Sequence, residues 1–213
     1  RVLRSGFAET GSEGRLRQER LLALVRAHGA RLLGPNCLGI AVPPLGLNAT
    51  FAPRPLPAGR IGFSSQSGAL GLALLEKATE RALGFSAFVS IGNKADVSSN
   101  DLLEWWEDDD DTDLVLLYLE SFGNPQRFAQ LARTIGRRKP IIAVKSGRTR
   151  AGSRAAGSHT AALAASDATV AALFHQTGVI RADTIDEMFD LAACLTAQPL
   201  PRGRRVRSEE HTS

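Results

Sequence analysis

Residues 113–125 read "DLVLLYLESFGNP". A strand with one face in water alternates apolar and polar residues, but positions 114–119 are apolar or aromatic throughout. That is the pattern of a strand covered on both faces, as in a parallel sheet flanked by helices. The run ends on Glu120, followed by a short turn, and Asn124–Pro125 is a helix-start signal. "PIIAVKS", residues 140–146, repeats the pattern.

Outward from this stretch, strand-length apolar runs alternate with helix-period segments. Strands are predicted at 2–5, 30–33, 60–64, 85–90, 113–120 and 140–146, with a shorter one near 179–181. Helices are predicted at 13–28, 69–82, 99–107, 125–135, 161–176 and 185–197. Ser67, Ser98 or Ser99, Asn124 and Thr184 are candidate caps, and Gly29, Gly84, Gly136 and Gly178 candidate stops. The alternation predicts a doubly wound, parallel α/β sheet.

The Pro-rich stretch "VPPLGLNATFAPRPLPAGR", residues 42–60, interrupts the alternation once. Residues 1–44 are therefore expected to end one α/β unit, 45–59 to form a linker, 60–198 to be a second, complete unit, and 199–206 to lead onward. The opening "RVLRSGF" lacks a methionine and reads as a strand already under way, so a gene fragment is expected. Residues 207–213, "RSEEHTS", translate a common sequencing adapter codon for codon and are expected to be an artefact.

At 43% hydrophobic and 23% charged, the 213 residues have a globular composition. No apolar run approaches the roughly 18 residues of a membrane span, and no signal peptide opens the chain. No membrane association is expected. Cys37 and Cys194 are far apart and form no metal-type pair, which suits a reduced cytoplasm. Cys194 lies in an apolar helical run and is expected in the core. The formal charge is +4, but only four of 26 basic residues are lysines and the arginines are scattered. Without an aromatic-interleaved basic stripe, nucleic-acid binding is not expected. The acidic run 107–113, "EDDDDTD", lacks calcium-loop spacing, so it reads as a solvated turn and no metal site is expected.

Ligands of doubly wound sheets lie at the carboxyl ends of the strands. Here those ends carry "SSQSGAL" (64–70), "SIGNKADVSSND" (90–101), "ESFGN" (120–124) and "KSGRTRAGSRAAGSHT" (145–160). Gln66, Ser67 and Gly68 open a helix whose free N–H groups suit a phosphate, although Ser and Gly also cap helices without any ligand. His159 sits among small residues that have little bulk to bury an imidazole. It suits a nucleophile or a general base, with Glu120 as the carboxylate that orients the ring and offsets its charge. Glu120 ends a buried strand, where an unused carboxylate is costly. An exposed loop histidine beside an unrelated acid is the other reading of the same pair. A Ser–His–acid hydrolase fits poorly, because "SSQSGA" lacks the first glycine of a nucleophile elbow.

Six stretches in order, "RLLGPNCLGI", "GRIGFSSQSGAL", "FVSIGNKADVSSNDLLEWW", "LLYLESFGNP", "PIIAVKSGR" and "GSHTAAL", resemble the nucleoside-diphosphate-forming acyl-CoA synthetases, relatives of succinyl-CoA synthetase. The resemblance covers nearly all of residues 1–206. It implies the end of a CoA-binding Rossmann domain followed by a flavodoxin-like domain. It implies that phosphate attacks an acyl-CoA to give an acyl phosphate and free CoA, with acetate or another short acyl group. A histidine on a mobile loop then takes the phosphoryl group and passes it to a nucleoside diphosphate in an ATP-grasp domain or subunit, which holds ATP or ADP with Mg2+. By resemblance His159 is that histidine and Glu120 its partner. Gln66, Ser67 and Gly68 hold the phosphohistidine, and Asn36 and Cys37 lie near the CoA thioester. An oligomer is implied, and the fragment alone is expected to be inactive. A branch of the family fuses this region to a GNAT domain in protein lysine acetyltransferases, where it binds acyl-CoA as a regulatory region; the intact "GSHT" favours phosphoryl chemistry.

Overall fold

The computed structural model describes residues 5–68, 70–147, 167–200 and 203. His159 lies outside the described residues, as do most of the strand expected at 2–5 and the first part of the helix expected at 161–176.

Among the described residues seven strands form one sheet: β1 (Gly39–Val42), β2 (Leu47–Thr50), β3 (Ala58–Ser65), β4 (Phe85–Ser90), β5 (Leu114–Leu119), β6 (Ile141–Lys145) and β7 (Ile180–Ala182). The described helices are α1 (Ser12–Ala27), α2 (Gly71–Glu80), α3 (Ser99–Glu107), α4 (Pro125–Ile135), α5 (Asp167–Thr177) and α6 (Ile185–Ala197). The strand order is β2-β1-β4-β3-β5-β6-β7. The five strands from β4 to β7 run parallel, while β1 pairs antiparallel with both β2 and β4. Taken alone, the parallel part has the flavodoxin-like order, with its reversal point at β3, between β4 and β5. Among the described residues no helix is long and apolar enough to cross a membrane.

β5 shows why its sequence reads as it does. Leu114, Leu116 and Tyr118 face one apolar cluster, which contains Phe63, Phe85, Phe88, Met188 and Phe189. Val115, Leu117 and Leu119 face the other, with Trp106, Phe128 and Phe174. Both sides of the sheet are thus buried under helices, and each fully buried large side chain contributes about 1.5–3 kcal/mol. Trp106 is core while its neighbour Trp105 is exposed. Helix starts follow the local signals: Ser98 and Asp101 form a capping box, Asn124 accepts the Arg127 N–H at 3.0 Å, and Thr184 accepts that of Glu187 at 3.1 Å.

Several expectations change. Residues 30–33 form no strand; this segment instead runs beside the loop after β4, with Val97 N–H bonded to Leu32 O and Ala95 N–H to Gly34 O. Positive φ at Gly34 and Asn36 turns the chain out of an extended path. The expected linker 45–59 contains β2 and the start of β3, and the β1–β2 hairpin extends the sheet through Ile40↔Val89 and Ala41↔Phe88. Helix α2 ends through Ala82 in the left-handed conformation, not at Gly84. Gly84 is instead a point of close approach, since a Cβ there would lie 2.4 Å from Ala58 O and 2.8 Å from Gly59 Cα. Cys194 is exposed. The buried residues of α6 are Met188, Phe189 and Ala192, and Cys194 lies off that stripe.

Candidate functional site

Gln66 follows β3 and its backbone N–H donates to Tyr118 O at 3.1 Å, which continues the parallel pairing one residue past the strand. Its side chain is 5% exposed and reaches across to the end of β5. Oε1 accepts the N–H groups of Glu120 (3.0 Å) and Ser121 (2.9 Å), while Nε2 donates to Ser121 O (2.8 Å) and to Ser99 Oγ (3.4 Å). The amide behaves as a piece of backbone would, closing the polar groups of a turn that has left the sheet. Glu120 is fixed by this arrangement through its main chain, not its carboxylate.

That carboxylate is exposed, unlike the buried strand before it. Being past the last sheet-paired residue, it escapes the desolvation that the strand pattern suggests. Two lysines act on it through space, Lys94 after β4 and Lys145 at the end of β6. Lys94 has φ 45°, one of few non-glycine residues in the left-handed region, and its N–H is bonded to Ile91 O. Its ammonium donates to Ser121 O at 3.1 Å, to Ser121 Oγ, and to Gln66 Oε1 at 3.4 Å. Burial pushes the Lys94 ammonium down to about 8, with Glu120 opposing the shift and Lys145 adding to it. Burial also lowers Lys145, again against Glu120; its Nζ donates to Ser146 O at 2.7 Å.

The segment 34–37 forms the other flank. Asn36 Nδ2 donates to Asn93 Oδ1 at 3.2 Å, and Cys37 is buried. Asn93 Nδ2 in turn donates to Glu9 and to Gln18 Oε1. Gly92 makes this approach possible. Its φ is +51°, and a Cβ would meet Asn36 O at 2.2 Å and Pro35 O at 2.3 Å. Gly68 also lies against this segment, since its Cβ would be 3.3 Å from Asn36 O. Adjacent residues of one loop, Asn93 and Lys94, thus touch the 36–37 segment on one side and the Gln66–Ser121 turn on the other.

Six of the seven expected site residues are described, and all six gather on this carboxyl edge. Ser67 differs in detail. Its Oγ accepts the Leu70 N–H at 3.3 Å, and α2 starts only at Gly71. Lys94, Lys145 and Ser121 were not expected. The signal was present in the lysine count: two of the chain's four lysines fall at strand carboxyl ends. Two clefts, of about 650 and 560 Å³, lie elsewhere, at the amino ends of β3 and β5 and between residues 52–56 and α2. Neither contains any of these residues.

The depressed Lys94 ammonium has a consequence for stability. Between about pH 8 and its ordinary 10.5, the unfolded chain holds this proton and the folded chain does not, so stability rises with pH across that window. Tyr118 is shifted upward by burial and opposes this only above its ordinary value of 10.0. Urea unfolding of the chain at pH 7.5, 9 and 10 is expected to show a gain of about 2 kcal/mol. Lys145, also lowered by burial, adds to the rise in the same direction. Lys94→Met should therefore reduce the slope without abolishing it, and an unchanged slope would place the Lys94 ammonium in water.

Residues 58–195 match the family model described as succinyl-CoA ligase like flavodoxin domain. The chain is 44% identical over 205 residues to the acetate–CoA ligase [ADP-forming] I subunit alpha of Pyrococcus furiosus, covering 96% of this chain and 44% of that one. It is 43% identical over 198 residues to the acetate–CoA ligase [ADP-forming] of Methanocaldococcus jannaschii, covering 93% of this chain and 28% of that protein. Among solved structures it is similar to the dinucleotide forming acetyl-coenzyme A synthetase 1 of Ca. Korarchaeum cryptofilum in complex with phosphate and ADP. The TM-score is 0.88 and the identity 40%, over 95% of this chain and 44% of that one. The chain spans less than half the length of these relatives.

Proposed function

Because this chain belongs to the succinyl-CoA ligase-like flavodoxin family, we propose that it is part of an acyl-CoA synthetase of the nucleoside-diphosphate-forming type. The proposed reaction interconverts acyl-CoA, phosphate and ADP with a carboxylate, CoA and ATP. Acetate is the proposed acid, in line with the names of the relatives. The observation that carries the reading is the junction at the strand-order reversal, where Gln66 closes the Glu120 turn beside Gly68 and the 36–37 segment.

In this reading phosphate attacks the acyl carbon and the CoA sulfur leaves as a thiolate, near Asn36 and Cys37. The resulting acyl phosphate gives its phosphoryl group to one imidazole nitrogen of His159, and the carboxylate departs. Glu120 orients the other ring nitrogen and offsets the positive charge that develops there. Gln66 holds the Glu120 turn, and Ser67 and Gly68 receive the phosphorylated ring. An ATP-grasp domain or subunit, holding ADP or ATP with Mg2+, takes the group onward. The CoA-binding Rossmann part is the segment before β1, since β1 already pairs with β4, and the flavodoxin-like domain carries that sheet through residue 198. The protein works as an oligomer in the cytoplasm.

The test is release of free thiol from acetyl-CoA by the intact gene product, with and without phosphate. Thiol release that depends on phosphate is expected. Binding of acetyl-CoA without such release would replace this reading with the acyl-CoA-binding region of a GNAT-fused lysine acetyltransferase.

A further inference from the structure

The two lysines at this edge are engaged very differently. Lys94 uses its three donors on Ser121 O, Ser121 Oγ and Gln66 Oε1, so it cannot turn toward a ligand without releasing the Glu120 turn. Among the described residues Lys145 makes one bond, to Ser146 O, and has two further N–H donors to offer. It is half-buried, and among the described residues neither lysine forms an ion pair, whereas Lys77 is paired with Asp186. Lys145 is in register with Leu119, the residue before Glu120. Among the described residues, Lys94 and Lys145 bring two ammonium groups to the single carboxylate of Glu120, in a setting where burial disfavours an unpaired charge. An anion would supply the missing partner.

We propose that Lys145 is a direct ligand of the phosphoryl group handled at this edge, and that Lys94 is a positioning residue that holds the Glu120–Ser121 turn beside it. This rests on the reading of the site given above. The choice of lysine is informative in a chain whose other cations are mostly arginines. A guanidinium fork favours one planar, bidentate geometry, while an ammonium is a compact point charge that can follow an oxygen through a transfer. Lys145 therefore serves a phosphoryl group that changes partners, as inorganic phosphate or within an acyl phosphate.

Calorimetric titration of the intact gene product with inorganic phosphate, and separately with acetyl phosphate, tests this. Loss of a charge-assisted hydrogen bond predicts that Lys145→Met weakens phosphate binding roughly 10- to 100-fold, with Lys145→Arg recovering part of it. If acetyl phosphate is the anion held, its affinity falls by the same factor. Lys94→Met should lower kcat for phosphate-dependent thiol release more than it raises the KM for phosphate. Independently of any variant, phosphate should protect Lys145, but not Lys77, from acylation by acetic anhydride, read by peptide mass spectrometry. Unchanged affinities in Lys145→Met, or equal labelling of both lysines with and without anion, overturn the proposal. Phosphate binding that needs Lys145 but no phosphate-dependent thiol release would keep this subsite and remove the synthetase reading instead.

Discussion

Replacing His159 with asparagine is expected to abolish a phosphoryl label on the protein. The intact gene product, incubated with acetyl-CoA and radiolabelled phosphate, should acquire label that survives base and is lost in acid. That stability identifies a bond from phosphorus to an imidazole nitrogen, because protonation of the ring makes it a good leaving group. A phosphorylated carboxylate would be lost in base. Asparagine is close in size to histidine but carries no nucleophilic nitrogen at neutral pH, so the variant should hold no such label and turnover should fall roughly a thousandfold or more. In the proposed reading His159 meets Glu120, which is exposed just past β5 in a turn that Gln66 closes. Label that persists in His159→Asn would move the phosphoryl group to another residue and remove the role given to Glu120.

Gln66→Leu carries the second large effect, and this one is on stability as well as activity. Leucine fills much of the same volume but accepts and donates nothing. The N–H groups of Glu120 and Ser121 lose their acceptor, while Ser121 O loses one of two donors and keeps Lys94 at 3.1 Å. Each buried polar group left without a partner costs about 1–3 kcal/mol. A loss of about 3 kcal/mol in urea unfolding is expected, with activity reduced beyond what lost folding explains because Glu120 is released from its turn. Gln66→Glu separates the two effects. It keeps an acceptor for the two N–H groups but places an oxygen against Ser121 O, so it should be destabilised less than the leucine variant at neutral pH, where Lys94 is charged. A loss below about 0.5 kcal/mol in Gln66→Leu would mean that water replaces the amide readily.

Much of this fold is legible in the amino-acid order, because the signals are local. The unbroken apolar runs at 114–119 and 141–144 require cover on both faces, and the two apolar clusters supply it. Ser98, Asn124 and Thr184 cap their helices with side chains that reach only three residues ahead. The gathering of Gln66, Gly68 and Glu120 follows from topology alone, since all strand carboxyl ends of a parallel sheet share one edge. The family resemblance, carried by six ordered stretches, agrees with the match over residues 58–195.

The sequence by itself determined which residues form strands within the parallel sheet, which helices cover it, and which polar groups stand at its carboxyl edge. Those properties repeat every two or three to four residues, so they are written in near neighbours. Only the tertiary structure decided the rest. The β1–β2 hairpin is a strand pair because Ile40 and Ala41 meet Val89 and Phe88, nearly fifty residues away, across an edge that no local period announces. Residues 30–33 have a strand's length and two adjacent leucines, yet it is the loop after β4 that bonds Leu32, whose O accepts the Val97 N–H and whose N–H donates to Asp96. Cys194 is apolar in context and still exposed, because the rotation of α6 against β5 and β6 selects Met188, Phe189 and Ala192 instead. Lys94 and Lys145 lie 51 residues apart and act on each other only because β4 and β6 deliver them to one edge. Charge interactions depend on distance and burial, and both are set by how the strands are ordered, not by how the residues are spaced along the chain.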